Sequence, residues 1–164
     1  MKRPYSDSAQ GPDSILTSLG LRHTEDARNY RAAATQLNDG DDKNKLVRFL
    51  NVLSEYREQL RTEVNQIIAD MSGGVHTPSK QGNSYLESHG DDWTQAVNTN
   101  NRVKIAEMIY QSEQETGDYY SEAQNSPGIE DRSDIKELLE RQHGIVLDHI
   151  RQADRFQRVP QLED

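Results

Sequence analysis

Residues 46–71 read LVRFLNVLSEYREQLRTEVNQIIADM. Leu46, Phe49, Leu50, Leu53, Tyr56, Leu60, Val64, Ile67 and Met71 recur at steps mostly of three and four. That spacing returns to one face of an α-helix, whereas a half-buried strand needs strict alternation. The stretch contains neither proline nor glycine. It predicts one long amphipathic helix over 43–71. Asp41 and Asp42 can accept hydrogen bonds from its first free N–H groups, and Gly73-Gly74 can end it.

The same periodicity appears three more times. On the N-terminal side, Leu16, Leu19, His23, Ala27, Tyr30, Ala34 and Leu37 mark a helix over about 14–37. Asp13 or Ser14 can cap it, and Asn38-Asp39-Gly40 is a turn signal. On the C-terminal side, Ile105, Ile109, Ser112, Thr116, Tyr119, Tyr120 and Ala123 mark a helix over 102–123, stopped by Ser126-Pro127-Gly128. Ile135, Leu138, Leu139, Gln142, Val146, His149, Ala153 and Phe156 mark a last helix over 133–156. Residues 72–101, interrupted by Pro78, Gly82 and Gly90, form a long crossover, with Tyr85, Leu86, Trp93 and Val97 suggesting a short helix. Residues 1–13 and 158–164 read as tails flanking a 14–157 domain. Four helices joined short, long, short predict an all-α four-helix bundle with ferritin-like connectivity.

Composition taken alone argues the other way. Only 32 of the 164 residues are Leu, Ile, Val or Phe, and the formal net charge is -9. Such a ratio is typical of disordered chains. Position resolves the conflict, because the apolar residues gather on one stripe per helix and Tyr and Ala extend the stripes. The excess of 28 acidic over 19 basic residues argues against nucleic acid and anionic membrane as partners. No apolar run approaches the roughly 20 residues of a membrane span, and no apolar leader opens the chain, so a cytoplasmic location is expected. The absence of cysteine excludes disulfides and thiolate metal sites.

A bundle of this connectivity invites a search for a di-metal centre, which takes inward carboxylates and Glu-x-x-His pairs. Glu140-Arg141-Gln142-His143 is the one literal match, and Glu55-Tyr56-Arg57-Glu58 is the nearest on the second helix. With Ile135 at zero and about 100° per residue, His143 falls about 80° and Glu140 about 140° from the core direction. The same arithmetic turns Glu55 outward, and Glu25 outward from Leu16. The polar residues predicted to face inward are His23, Asp26, Arg57, Ser112, Glu113, Gln142 and His149. Asp26 is expected near Arg57, and Glu113 near Gln142. They suggest a polar layer at mid-height in which Arg57 takes carboxylate partners, since an unpaired buried charge is costly. His23, Asp26, Glu113 and His149 are the metal-ligand candidates, and Arg57 argues against a cation beside them.

Several short segments extend the resemblance to a family. They are Asn29-Tyr30-Arg31-Ala32-Ala33, Leu53 with Tyr56-Arg57, and Gly82-Asn83-Ser84 with Leu86 and Trp93. Glu113, Tyr120 and Leu138-Leu139-Glu140-Arg141-Gln142 complete the set. Over about residues 15–155 the layout resembles an uncharacterised bacterial ferritin-like four-helix-bundle family, a domain of unknown function. The resemblance implies a fold and no activity. The functional expectation is a non-catalytic bundle with a structural, binding or stress-associated role, no cofactor, and self-association as a dimer through Trp93 or Tyr110. The alternative is a metal-binding ferritin-like protein with a variant iron or manganese site, possibly an oxidase.

Overall fold

The computed structural model describes residues 11–37, 44–71, 92–99 and 101–158. All regular structure among them is helical. Four long helices, α1 (Pro12–Leu37), α2 (Lys45–Met71), α4 (Arg102–Gln124) and α5 (Ser133–Arg158), lie side by side. A short helix α3 covers 92–98, and a 3-10 turn at Pro127–Ile129 links α4 to α5.

Local chemistry sets the ends. Helix α1 starts at Pro12, earlier than the Ser14 of the sequence reading, because a proline at the first helical position gives up an N–H that would go unpaired there anyway. Helix α2 is capped by Asn44, whose Oδ1 accepts from Val47 N at 3.1 Å. Asp41, Asp42, the 38–40 turn and Gly73-Gly74 lie outside the described residues, as do 72–91 of the crossover. Asn101 Oδ1 caps α4 through Lys104 N at 3.0 Å.

Cross-helix contacts define the directions. Ser54 meets the carbonyl of Ala27 while Arg57 meets His23, so α1 and α2 run antiparallel. Tyr119 reaches Ile15 and Ser112 reaches Asp26, which makes α4 antiparallel to α1. Phe49 stacks on Phe156 and Gln142 reaches the carbonyl of Leu60, which makes α5 antiparallel to α2. Helices α2 and α4 therefore point the same way, so Met71 and Arg102 lie at opposite ends of the assembly.

The core has two apolar halves. One contains Leu37, Leu46, Leu50, Leu53, Trp93, Ile105 and Ile109. The other contains Leu16, Leu19, Leu60, Val64, Ile68, Ile135 and Leu139. Each long helix contributes to both, with polar residues between: Arg22 to Asp26 on α1, Ser54 and Arg57 on α2, Ser112 to Thr116 on α4, and Gln142 and His149 on α5.

Three expectations need correction. Trp93 is only 3% exposed, packed edge-on to Tyr30, so it is no dimer contact, and Tyr110 is half-buried against the same cluster. On α2, Tyr56 is exposed and Ile68, not Ile67, is fully buried, because the inward direction passes between Leu53 and Arg57 rather than through Tyr56. Glu25 is buried rather than outward. The buried residues of α1 sweep about 220° of its circumference, more than one stripe, because the helix is covered on two sides.

Candidate functional site

The side chain at the centre of the molecule is a guanidinium. Arg57 is wholly buried, and desolvating a lone cation is expensive, so its surroundings must compensate. They do so from two helices. Arg57 Nη1 lies 2.9 Å from Asp26 Oδ2 on α1. Arg57 Nη2 lies 2.6 Å from Glu113 Oε2 on α4. Nε also donates to Glu113 Oε2 at 3.2 Å, Nη2 to Thr116 Oγ1 at 3.0 Å, and Nη1 to His23 Nδ1 at 3.0 Å. The Tyr30 ring lies 5.9 Å beneath the guanidinium carbon, and its hydroxyl donates to Glu113 Oε2 at 2.5 Å.

A guanidinium can only donate, which fixes the histidine tautomer. His23 accepts at Nδ1 and so carries its proton on Nε2, which donates to Tyr120 Oη at 2.8 Å. Tyr120 then donates to Gln142 Oε1 at 2.6 Å. Gln142 Nε2 donates to Glu63 Oε1 at 2.9 Å and to the Leu60 carbonyl at 3.2 Å. Glu63 ends the chain on exposed Arg141, 3.2 Å away. From Arg57 as far as Glu63 every donor on this path points outward, and Arg141 donates back to Glu63 from the surface. On the other side, Ser112 donates to Asp26 Oδ1 at 3.1 Å, and Arg22 Nε to Thr116 Oγ1 at 2.7 Å.

The electrostatics follow from burial and these partners. Burial pushes the Glu113 carboxyl up, but Arg57, His149 and Tyr30 outweigh it and hold Glu113 down at about 2. Burial also opposes the charge on Arg57, yet Glu113 and Asp26 hold it protonated well above the ordinary range. Asp26 is raised by burial, which Arg57 and Arg22 only partly offset. His23 is lowered well below its usual range by burial and by Arg57, in keeping with the neutral tautomer. Burial raises the Tyr120 phenol, so it stays a donor.

His23, Asp26, Arg57, Glu113, Gln142 and His149 are all buried. Gln142 pairs with Tyr120, not with Glu113. His149 Nδ1 faces Glu113 Oε1 across 3.7 Å, with the Tyr56 ring edge-on to the imidazole. Neither of those two atoms has a hydrogen-bond partner among the described residues. Glu140 and Glu55 are exposed, and His143 stacks on Tyr120 while its Nδ1 meets Gln124 at 3.2 Å. The Glu140-x-x-His143 pair thus does not converge on the layer.

Three members of the network escaped the sequence reading as partners: Tyr30, Tyr120 and Thr116. The signal was present in the spacing. Tyr30 follows Asp26 by four residues and Thr116 follows Glu113 by three, so each shares a helix face with an inward carboxylate.

The donor set does not fit a cation. Arg57 occupies the position between the two carboxylates that would ligate one, and His23 spends its Nδ1 lone pair on the same guanidinium. Among the described residues, no three His, Asp or Glu side chains are arranged to share a metal ion. The layer's own residues His23, Asp26, Arg57, Glu113, Gln142 and His149 are at most 4% exposed. No known protein family, characterised protein or solved structure matches this chain at a significant level.

Proposed function

We propose that the chain is a non-catalytic four-helix bundle with ferritin-like connectivity, serving a structural or binding role as a cytoplasmic homodimer. The observation that carries this reading is the buried Arg57, ion-paired to both Asp26 and Glu113. It puts a permanent positive charge where a ferritin-like bundle would place metal. The parallel course of α2 and α4 supports the connectivity, since ferritin-like bundles join such a pair by one long crossover.

Metal titration tests the non-catalytic reading. Purified protein incubated with ferrous iron or manganous ion and then desalted should retain less than stoichiometric metal. Stoichiometric retention that disappears in Glu113→Ala and His149→Ala would establish the metal-binding alternative instead. Light scattering across micromolar concentrations tests the dimer, and a monomer mass throughout would remove it.

A further inference from the structure

We propose that the groove between α1 and α2 is a binding site for a small phosphorylated ligand, held by Arg28, Arg31 and Arg61. The groove is open to the surface and holds about 440 Å³. That lies within the size range of small-molecule sites, roughly 300–1,000 Å³. Buried Ala27 and exposed Ala32 supply apolar wall, and the polar groups converging on it are three guanidiniums and the Glu58 carboxylate.

The charge arrangement is what distinguishes this groove. The chain as a whole carries -9, yet here three cations face one anion. Glu58 is engaged with Arg31 at 3.2 Å. Neither Arg28 nor Arg61 has a carboxylate partner among the described residues. On α5, Arg141, Arg151 and Arg158 each lie within 3.2 Å of a carboxylate; Arg48 and Arg155, like Arg28 and Arg61, have none among the described residues, but they stand apart from this groove. Arg28 and Arg31 sit three residues apart on one helix face, where like charges repel. Arg61 enters from the opposite helix and adds to that repulsion. A bound dianion relieves it.

The choice of arginine points to the ligand class. A guanidinium offers a planar pair of N–H donors that matches a phosphate edge, and such forks come to this groove from both of its helices. The alanine wall suits the apolar part of a small organic phosphate. This inference is independent of the metal question, because the groove lies on the outer seam and shares no residue with the Arg57 layer.

Inorganic pyrophosphate is the probe, titrated calorimetrically into the full chain at about 150 mM salt, where diffuse surface attraction is largely screened. The expected result is saturable one-to-one binding. Arg28→Gln with Arg61→Gln should weaken it by about tenfold or more, while Arg141→Gln leaves it unchanged. Glu58→Gln, which releases Arg31, should tighten it. No saturable binding, or equal weakening by Arg141→Gln, overturns the proposal. Circular dichroism of each variant confirms that the helices are retained, as expected for exposed or half-buried positions. If the double variant fails to fold, Glu58→Gln alone decides: absence of tightening then overturns the site.

Discussion

Arg57 Nη2 lies 2.6 Å from Glu113 Oε2, and neither side chain reaches solvent. The pair joins α2 to α4, two helices that meet at mid-height through this network. It also divides the core, with apolar clusters above and below. Buried ion pairs of this kind contribute little net stability relative to apolar packing, but breaking one is severe. Its contacts tie α1, α2, α4 and α5 together at one height while adding little to their total stability.

Arg57→Ala should destabilise the protein by roughly 3–5 kcal/mol, because it strands two carboxylates in the core. Urea denaturation measures this directly. Combining Arg57→Met with Asp26→Asn and Glu113→Gln should recover about half or more of that loss, since no charge is then left unpaired. An unchanged midpoint for Arg57→Ala would show that the side chain escapes to solvent.

Stability should fall as pH drops from 7 toward 5, and His23 should be one cause. Its folded pKa lies below the ordinary 6.5. The unfolded chain therefore binds the proton first, so stability present above 6.5 is lost as pH falls toward the folded value. His23→Gln keeps hydrogen-bonding capacity and should flatten that slope. Glu113 has the same sign in a lower window, from 4.5 down to about 2. Asp26 is raised from 3.8, so its term runs the other way and disfavours the fold as pH rises above that value. Denaturant midpoints at a series of pH values, for wild type and His23→Gln, separate the contributions.

Tyr120→Phe should cost more than Tyr30→Phe. Removing the Tyr120 hydroxyl leaves both His23 Nε2 and Gln142 Oε1 without that partner. Removing the Tyr30 hydroxyl leaves Glu113 Oε2 still bonded to Arg57 through two nitrogens. Each stranded buried group carries a penalty of about 1–3 kcal/mol. A larger loss for Tyr30→Phe would place the weight of the network on Glu113 instead.

Two helical glycines should respond oppositely to a larger residue. Among the described residues, nothing lies within 4 Å of a Cβ added at Gly144. Gly144→Ala should therefore stabilise α5 by about 0.5–1 kcal/mol through helix propensity. A Cβ at Gly117 would stand 3.1 Å from Ile150 Cδ1 and 3.9 Å from Val146 Cγ1. Gly117→Val adds branches at this close approach of α4 and α5 and should destabilise by about 1–3 kcal/mol. Thermal melts of both variants give the comparison.

Sequence alone determined that the described chain is helical and where most of the helices lie, because apolar residues at steps of three and four suit one face of a helix and no other regular structure. It also placed His23, Asp26, Arg57, Glu113, Gln142 and His149 on those faces. What it could not supply is which inward group meets which. Periodicity gives a direction from each helix axis, whereas a hydrogen bond depends on the relative height and rotation of two helices. Tertiary structure alone decided that Arg57 takes both carboxylates and that Tyr120 links His23 to Gln142. It likewise buried Glu25 and Trp93, since burial of a residue beside the stripe depends on whether a second neighbour covers that flank. The alignment of Arg28 and Arg31 with Arg61 along one groove is equally a product of packing, because the residues that form it come from two different helices.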